Sequence, residues 1–283
     1  AIPFIWYLVF KYAPMYGIQI AFRRFNPTLG ITGSPWVGLT YFKQFFESYY
    51  FTDILWNTIS LSVFTMLIGF PVPILLALLI NEIKNVKFKK LIQNITYIPN
   101  FLSVVVIVSM LTLFSNSDYG LFNKITGLFG IAPMDFMSKP ALFQPLYVFS
   151  NVWQFMGFNA IIYIAALSSV DQELYEAASI DGATRLQKII HISIPCIMST
   201  IIVLFIMRIG SLMSVGFEKV YLMQNSVTLS ASEVISTFIY KNGIQKGQFS
   251  YSTAVGLFNS VINFVLLISA NFASKKLTKT SLW

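Results

Sequence analysis

The sequence predicts an all-α polytopic membrane protein with six transmembrane helices and one cytoplasmic two-helix loop. Of its 283 residues, 56% are hydrophobic and only 11% are charged, which is unlike an average soluble domain; the mean hydropathy is +0.69. Six apolar runs are each long enough to cross a hydrocarbon core of about 30 Å at about 1.5 Å per helical residue. We therefore interpret residues 1–283 as a single transmembrane domain with predicted spans at 3–22, 54–80, 95–114, 142–167, 192–215 and 251–272.

The first predicted span opens the sequence. Lys11 and Pro14 interrupt its apolar run, so we expect a kinked helix whose lysine faces protein or water. The run is too long for a cleavable signal peptide and has no small-residue cleavage site. No basic flank precedes it, and we expect that residues are missing upstream. The polar and aromatic stretch that follows, up to Asp53, is typical of the membrane interface.

Clusters of lysine orient the predicted spans. We expect Pro71 and Pro73 to bend the second span. Lysines follow the second and the sixth spans in dense groups: Lys84, Lys87, Lys89, Lys90, Lys275, Lys276 and Lys279. Basic residues are nearly balanced in number between the two sides, but the internal segments are about half as long in total, and density marks the cytoplasmic side. Both termini are therefore predicted to be cytoplasmic in a multi-pass protein of the cell membrane. The net charge of +8 is explained without a nucleic-acid partner.

The later loops alternate between the two sides. Residues 115–140 carry the glycine and proline punctuation of a turn-rich segment and are predicted to be external. The fourth span leads inward to a polar loop at 171–191. The fifth leads outward to the external segment 216–250, and the sixth returns to the inside.

The polar loop is helical in character. Ser169 and Gln172 have the spacing of a capping box, which predicts a helix beginning near Asp171. Thr184 and Gln187 repeat this capping-box spacing after Gly182, and glycine tolerates the positive φ at which a helix ends. We predict two short amphipathic helices joined at Gly182, lying on the membrane surface.

The sequence lacks residues that most enzymes need. It contains no Gly-Lys dipeptide, so the phosphate-binding loop G-x-x-x-x-G-K-[ST] is absent. No span has a carboxylate in its middle, whereas proton-coupled carriers and metal-dependent membrane enzymes use intramembrane Asp, Glu or His. The single cysteine, Cys196, and the single histidine, His191, have no further ligand types beside them. We predict that the chain is not an enzyme and holds no catalytic residue, metal or cofactor.

Three polar side chains lie inside predicted spans at similar depth. Counted from the outer ends of their spans, Arg208 lies about 10 Å deep, and Asn151 and Gln154 lie about 13 to 18 Å deep among aromatic residues. Hydrogen-bonding groups beside aromatic faces are typical of a sugar site. An equally weighted alternative is that Arg208 turns outward or pairs with Glu218, while the two amides bond between helices.

A motif in the polar loop resembles that of a known family. Glu176-Ala177-Ala178, Gly182, Ile192 and Pro195 follow the pattern EAA, three residues, G, nine residues, I-x-L-P, with Ile194 in place of Leu. The loop thus resembles the EAA loop of permease subunits in binding-protein-dependent ABC importers, the MetI-like superfamily. Nearly the whole chain resembles the polysaccharide and complex-oligosaccharide branch, including relatives of the alginate importer's subunits, through the stretches WVGLTYF, GFEKVYLMQN and YSTAVGLFNSVINF.

The resemblance implies that the chain forms the translocation pathway of an ATP-driven importer of oligosaccharide or polysaccharide. The loop would dock on a separate ATPase through its coupling residues Glu176, Ala177, Ala178, Asp181 and Gly182. The implied partners are two ATPase subunits that hold ATP and Mg, a second homologous permease subunit, an extracytoplasmic solute-binding protein, the saccharide substrate and membrane lipid. Candidate contacts for the binding protein are Tyr221, Asn225 and Lys241.

The resemblance also places a substrate site. Aligned without gaps from the loop, seven residues fall on positions that contact sugar in the maltose importer's permease: Asn151, Gln154, Phe155, Phe158, Arg208, Ser211 and Leu212. Only Asn151 keeps the same residue, so the position of the site is better supported than its chemistry. Two other functions remain as alternatives. A secondary carrier or channel for a small polar solute would need no ATPase, and a membrane-embedded transferase would need a carboxylate or metal cluster.

Overall fold

The computed structural model describes residues 2–278 and 281, and this part of the chain is built from helices. Its β pairing is limited, within those residues, to two isolated bridges, Arg23 with Trp36 and Asn26 with Gly30. Lys279, one of the lysines that orient the C-terminus, lies outside the described residues, as do residues 1, 280, 282 and 283.

The N-terminal segment uses three hydrogen-bond spacings in succession. Helix α1 spans Ile2–Tyr7, a π-helical turn spans Leu8–Tyr12, and a 3-10 helix spans Ala13–Phe22. Pro14 has no backbone N–H and its ring crowds the preceding turn, so regular α-helical bonding does not continue through it. Two short helices follow in the aromatic-rich segment, α2 at Gly30–Gly33 and α3 at Thr40–Phe46.

Three helices of the described chain are long and apolar enough to cross a membrane, or up to five if each of two bent pairs is one span. The first predicted span, 3–22, has no counterpart among these five, and the count of six spans stays a prediction. Helices α4 (Phe51–Gly69) and α5 (Pro71–Asn81) together form the span Phe51–Asn81. Pro71 lies in the first turn of α5, where a missing N–H costs no helical hydrogen bond.

The third predicted span, 95–114, is broken in the structure rather than continuous. Helix α6 (Val86–Tyr97) and a 3-10 turn (Ile98–Phe101) meet helix α7 (Val104–Ser115) at an angle of 98°. Pro99 begins the 3-10 turn, and the Ser103 hydroxyl caps α7 by accepting a hydrogen bond from Val106 N. The break therefore has local causes, a proline and a new N-cap.

The central span is unbroken. After α8 (Leu121–Gly127) and a 3-10 turn (Phe136–Ser138), helix α9 runs over Pro140–Ser168 and corresponds to the predicted span 142–167. Helices α10 (Gln172–Ile180) and α11 (Arg185–Lys188) form the polar loop.

The fifth predicted span, 192–215, is bent and ends early. A π-helical turn (Ile189–Ser193) and α12 (Ile194–Cys196) meet α13 (Met198–Gly210) at an angle of 63°. Pro195 and the non-helical Ile197 mark the bend, and Ser211 ends the helix.

The segment predicted to be an external loop, 216–250, packs against the spans. Its elements are α14 (Phe217–Met223), α15 (Leu229–Ser232), α16 (Ile235–Tyr240) and a π-helical turn (Lys241–Gln245), before α17 (Phe249–Thr278) forms the last span. Asn57 Nδ2 of α4 donates to Ser230 O at 2.8 Å, and Thr58 Oγ1 accepts from Ile235 N at 3.0 Å. These bonds join the segment to the helix core.

Packing divides the core into three clusters. One centres on Leu61, Tyr147 and Val220, one on Phe45 and Ile235, and the third joins α5, α9 and the start of α13. Helix α9 contributes to the first and third clusters and is the axis around which α4, α5 and α13 are arranged.

Candidate functional site

A cavity of about 420 Å³ lies between the membrane helices. Its walls come from α4, α5, α9, α13 and the turn after α13. The volume falls within the range of small-molecule pockets, roughly 300 to 1,000 Å³. Hydroxyl, amide, aromatic and guanidinium groups line it, so it offers both hydrogen bonds and apolar faces.

Five of the residues predicted to bind substrate line this cavity: Asn151, Phe155, Arg208, Ser211 and Leu212. Asn151 and Phe155 share a face of α9 because they lie four residues apart. Arg208 lies in the last turn of α13, and the turn directly after that helix carries the other two residues. The structure thus brings together residues from two separate spans.

The other two predicted residues, Gln154 and Phe158, do not line the cavity. Gln154 is 2% exposed. Its Nε2 donates to Leu102 O at 3.3 Å, and its Oε1 accepts from Lys219 Nζ at 3.5 Å. This is the interhelical bonding that the alternative interpretation expects for an amide. Phe158 is exposed on the surface of α9.

Arg208 is the one charged side chain among the described residues of the cavity wall. Its place at the carboxyl end of α13 is favourable, because the carbonyl end of a helix attracts positive charge. Ion pairs in the described chain join Lys43 to Glu47 and Lys241 to Glu233. The expected alternative pairing of Arg208 with Glu218 is therefore not formed. A guanidinium without a carboxylate partner keeps N–H donors that a carboxylate could accept in a bidentate geometry.

One face of α9 supplies a stripe of lining residues at four-residue spacing: Tyr147, Asn151, Phe155, Asn159 and Tyr163. Three of them, Tyr147, Asn159 and Tyr163, are not among the predicted site residues. The repeated spacing is visible in the sequence and would have indicated them, since residues four apart lie one above another on a helix. From α4, the buried Ser62 hydroxyl also borders the cavity and has no hydrogen-bond partner in the described chain.

The polar loop folds as two helices, but its first N-cap differs from the prediction. Asp171 caps α10, since its Oδ1 accepts from Glu173 N at 3.0 Å, whereas the Ser169 hydroxyl donates backward to Ala166 O in α9. The predicted Ser169–Gln172 capping box is therefore wrong. Asp171 lies nearer the start of the helix, and aspartate is as good an N-cap residue as serine. The Thr184–Gln187 capping box is confirmed, with both reciprocal bonds present.

Gly182 makes the bend between the two helices. Its φ is +77°, and the bonds from Ala183 N to Ala178 O (2.9 Å) and from Gly182 N to Ser179 O (3.2 Å) form a Schellman motif. The residues predicted to contact an ATPase lie at or before this bend. Ala178 is half-buried, and the others are exposed: Glu176, Ala177, Asp181 and Gly182.

The loop exposes apolar side chains to solvent and is joined by a hydrogen bond to the fifth span. Ile180 is 88% exposed and Leu186 is 65% exposed at its outer side. The Tyr175 hydroxyl lies 2.9 Å from Ser193 Oγ and joins α10 to the start of the fifth span.

The residues predicted to contact a binding protein are engaged within the chain. Lys241 pairs with Glu233 at 2.7 Å, Asn225 Nδ2 donates to Met137 O at 2.8 Å, and the Tyr221 hydroxyl accepts from Gln245 Nε2 at 3.1 Å. No group of three or more His, Cys, Asp or Glu side chains suited to a metal occurs in the described part of the chain.

Comparisons with known proteins found a matching family model and similar proteins. Residues 55–279 match the model for the binding-protein-dependent transport system inner membrane component. The chain is 43% identical to Protein LplB of Bacillus subtilis (strain 168), over 99% of this chain and 88% of that protein. It is 45% identical to the polygalacturonan/rhamnogalacturonan transport system permease protein YteP of the same organism, over 96% of this chain and 85% of that protein.

Two solved structures have a similar fold. One is a bacterial ABC transporter involved in the import of the acidic polysaccharide alginate, with TM-score 0.90 and 39% identity over 98% of this chain and 93% of that chain. The other is a bacterial alginate ABC transporter in complex with an alginate pentasaccharide-bound periplasmic protein, with TM-score 0.91 and 38% identity over 99% and 93% of the two chains.

Proposed function

The chain belongs to the family of binding-protein-dependent transport system inner membrane components, and we propose that it forms the translocation pathway of an ATP-driven importer of acidic oligosaccharides. Members of this family are multi-pass ABC permease subunits and are not themselves enzymes.

The observation that carries the substrate class is Arg208, a guanidinium in a polar and aromatic cavity whose described wall contains no carboxylate. A uronate carboxylate would accept its two parallel N–H donors. The Asn151 amide would bond sugar hydroxyls, and the Phe155 ring would cover an apolar sugar face. The names of the relatives agree with this chemistry, since polygalacturonan and alginate are acidic polysaccharides.

The loop formed by α10 and α11 would couple the cavity to ATP hydrolysis. Glu176 would pair with a basic group of the ATPase, Ala177 and Ala178 would allow close approach, and the bend at Asp181 and Gly182 would fix the angle between the helices. Two ATPase subunits would hold ATP and Mg. Docking that is stronger in the ATP-bound state would shift the spans between inward-open and outward-open conformations.

The orientation follows from the lysine clusters, which would put both termini and the α10–α11 loop in the cytoplasm. A solute-binding protein would deliver the oligosaccharide from outside. A second homologous permease subunit would complete the pathway, as the family resemblance implies.

Reconstitution tests the proposal. The complex purified from membranes is placed in liposomes with its binding protein, and uptake of trigalacturonate, trimannuronate and neutral maltotriose is measured with ATP or with a non-hydrolysable analogue. We expect a uronate trisaccharide to be taken up with ATP and not with the non-hydrolysable analogue. Uptake that persists with the analogue would instead support a secondary carrier or channel.

A further inference from the structure

Lys219 on α14 is a buried cation that the proposed site does not use. The residue is 4% exposed. None of the described carboxylates lies within ion-pair distance of its ammonium, since the two ion pairs of the described chain involve Lys43 and Lys241. Lysine is almost never buried without a paired charge.

The ammonium lies one aromatic ring behind the cavity wall. Lys219 Nζ is 5.7 Å from the centroid of the Tyr147 ring, and Tyr147 lines the cavity. Three residues earlier in the chain, Gly216 also borders the cavity. The other contact of the ammonium is Gln154 Oε1 at 3.5 Å. Gln154 precedes the lining residue Phe155 on α9.

These contacts offset only part of the cost of burying the charge. A cation over a ring face and one long hydrogen bond to a neutral amide stabilise an ammonium less than a carboxylate does. The remaining positive potential extends into the cavity, because Coulomb energy falls only as the inverse of distance and is weakly screened in a low-dielectric interior. The cavity therefore experiences two positive charges, one on its wall at Arg208 and one behind it.

We propose that Lys219 is a specificity-determining residue that selects anionic over neutral saccharides. Its charge would act electrostatically across the Tyr147 ring, without contact between Lys219 and the saccharide. This inference rests on the proposed function. Arg208 would bind one carboxylate directly, whereas Lys219 would favour net negative charge anywhere in the cavity. A merely structural role is the competing explanation, because Lys219, Gln154 and Leu102 O form a hydrogen-bonded chain across three elements.

Two ligands of the same ring structure that differ only in charge separate the two roles. Dissociation constants of the purified complex are measured for trigalacturonate and for its fully methyl-esterified form, which has the same rings and no charge. Lys219→Met should weaken trigalacturonate binding about tenfold, the size expected for one unit charge at this range, and leave the methyl ester unchanged. Lys219→Gln should behave in the same way. Lys246→Met removes an exposed lysine of the same segment and should change neither constant.

The outcomes are distinct. Equal weakening for both ligands, or a lower melting temperature in both Lys219 variants, would assign Lys219 a structural role and overturn the inference. A Lys219→Met complex with the charge preference of the wild type would also overturn it, and would leave the proposed function standing. A wild-type complex that binds neither ligand would overturn both.

Discussion

Gly157 of α9 packs directly against the backbone carbonyl of Thr96 near the end of α6, so closely that no side chain fits between them. The contact lies a few residues before the break in the third span, which falls between Phe101 and Val104. The contact packs the broken segment against α9, and the opposite face of α9 carries the residues that line the cavity. Close packing at this crossing therefore positions two of the elements on which the site depends.

Replacing Gly157 by alanine tests the importance of this crossing. The added methyl group should force α6 and α9 apart and destabilise the protein by about 1 to 3 kcal/mol, as overpacking does. Thermal unfolding of the purified complex measures the effect. Gly127→Ala on α8 is the control, because a Cβ there meets nothing within 4 Å. Equal melting temperatures for the two variants would show that the crossing is not tight.

Arg208→Ala should weaken binding of trigalacturonate by about tenfold to a hundredfold, since a hydrogen bond to a charged group contributes about 1.5 to 3 kcal/mol. Arg208→Lys should be intermediate, because lysine keeps the charge and loses the two parallel donors. Isothermal titration of the purified complex gives the dissociation constants. Lys124→Ala, which removes an exposed cation outside the cavity, serves as control. Unchanged affinity in Arg208→Ala would remove this residue from the site.

Gly182 should be essential to coupling because of its backbone. Proline cannot adopt a φ of +77°, since its ring holds φ near about −65°. Gly182→Pro should therefore abolish sugar-stimulated ATP hydrolysis and leave the affinity of the binding protein for sugar intact. Gly182→Ala should weaken stimulation, at a strain of about 1 kcal/mol. Gly247→Ala imposes similar strain at φ +69° outside the loop and should leave stimulation unchanged. Full stimulation in Gly182→Pro would exclude a role for the bend.

Lys219 should make stability depend on pH. Desolvation by burial lowers the pKa of Lys219 from 10.5 to about 8. Between these values the unfolded chain binds more protons at this residue than the folded chain, so its contribution to stability rises with pH. The groups facing the ammonium are the Tyr147 ring and the Gln154 amide. Melting temperature followed through that window should rise more steeply in the wild type than in Lys219→Met. Parallel curves would show that Lys219 titrates normally.

The sequence predicts elements better than their interruptions. The predicted bounds of three apolar spans lie within a few residues of the observed helices α4–α5, α9 and α17. Length and hydropathy suffice for this, because they decide whether a segment crosses a membrane. They did not reveal the break between Phe101 and Val104 or the one at Ile197. A proline in an apolar run can kink, start or end a helix, and the tertiary contacts that choose between these outcomes are not local.

The sequence predicted which spans contribute residues to the cavity, but not the direction of each side chain. Asn151 and Gln154 are three residues apart on α9, which turns the helix through about 300° and leaves their side chains about 60° apart. One faces the cavity and the other faces Leu102 and Lys219. Lys219 itself gave no signal, because its burial depends on how 216–250 folds back onto the spans.

If α10 transmits the work of a separate ATPase to a sugar cavity, reversing the charge of Glu176 should uncouple the two. ATP hydrolysis and trigalacturonate uptake are measured together in the reconstituted complex for wild type, Glu176→Lys and the control Glu47→Lys, which reverses an exposed charge outside the loop. We expect Glu176→Lys to lose both activities while the control and the binding protein's affinity for sugar are unchanged. Normal coupled turnover in Glu176→Lys would contradict the account.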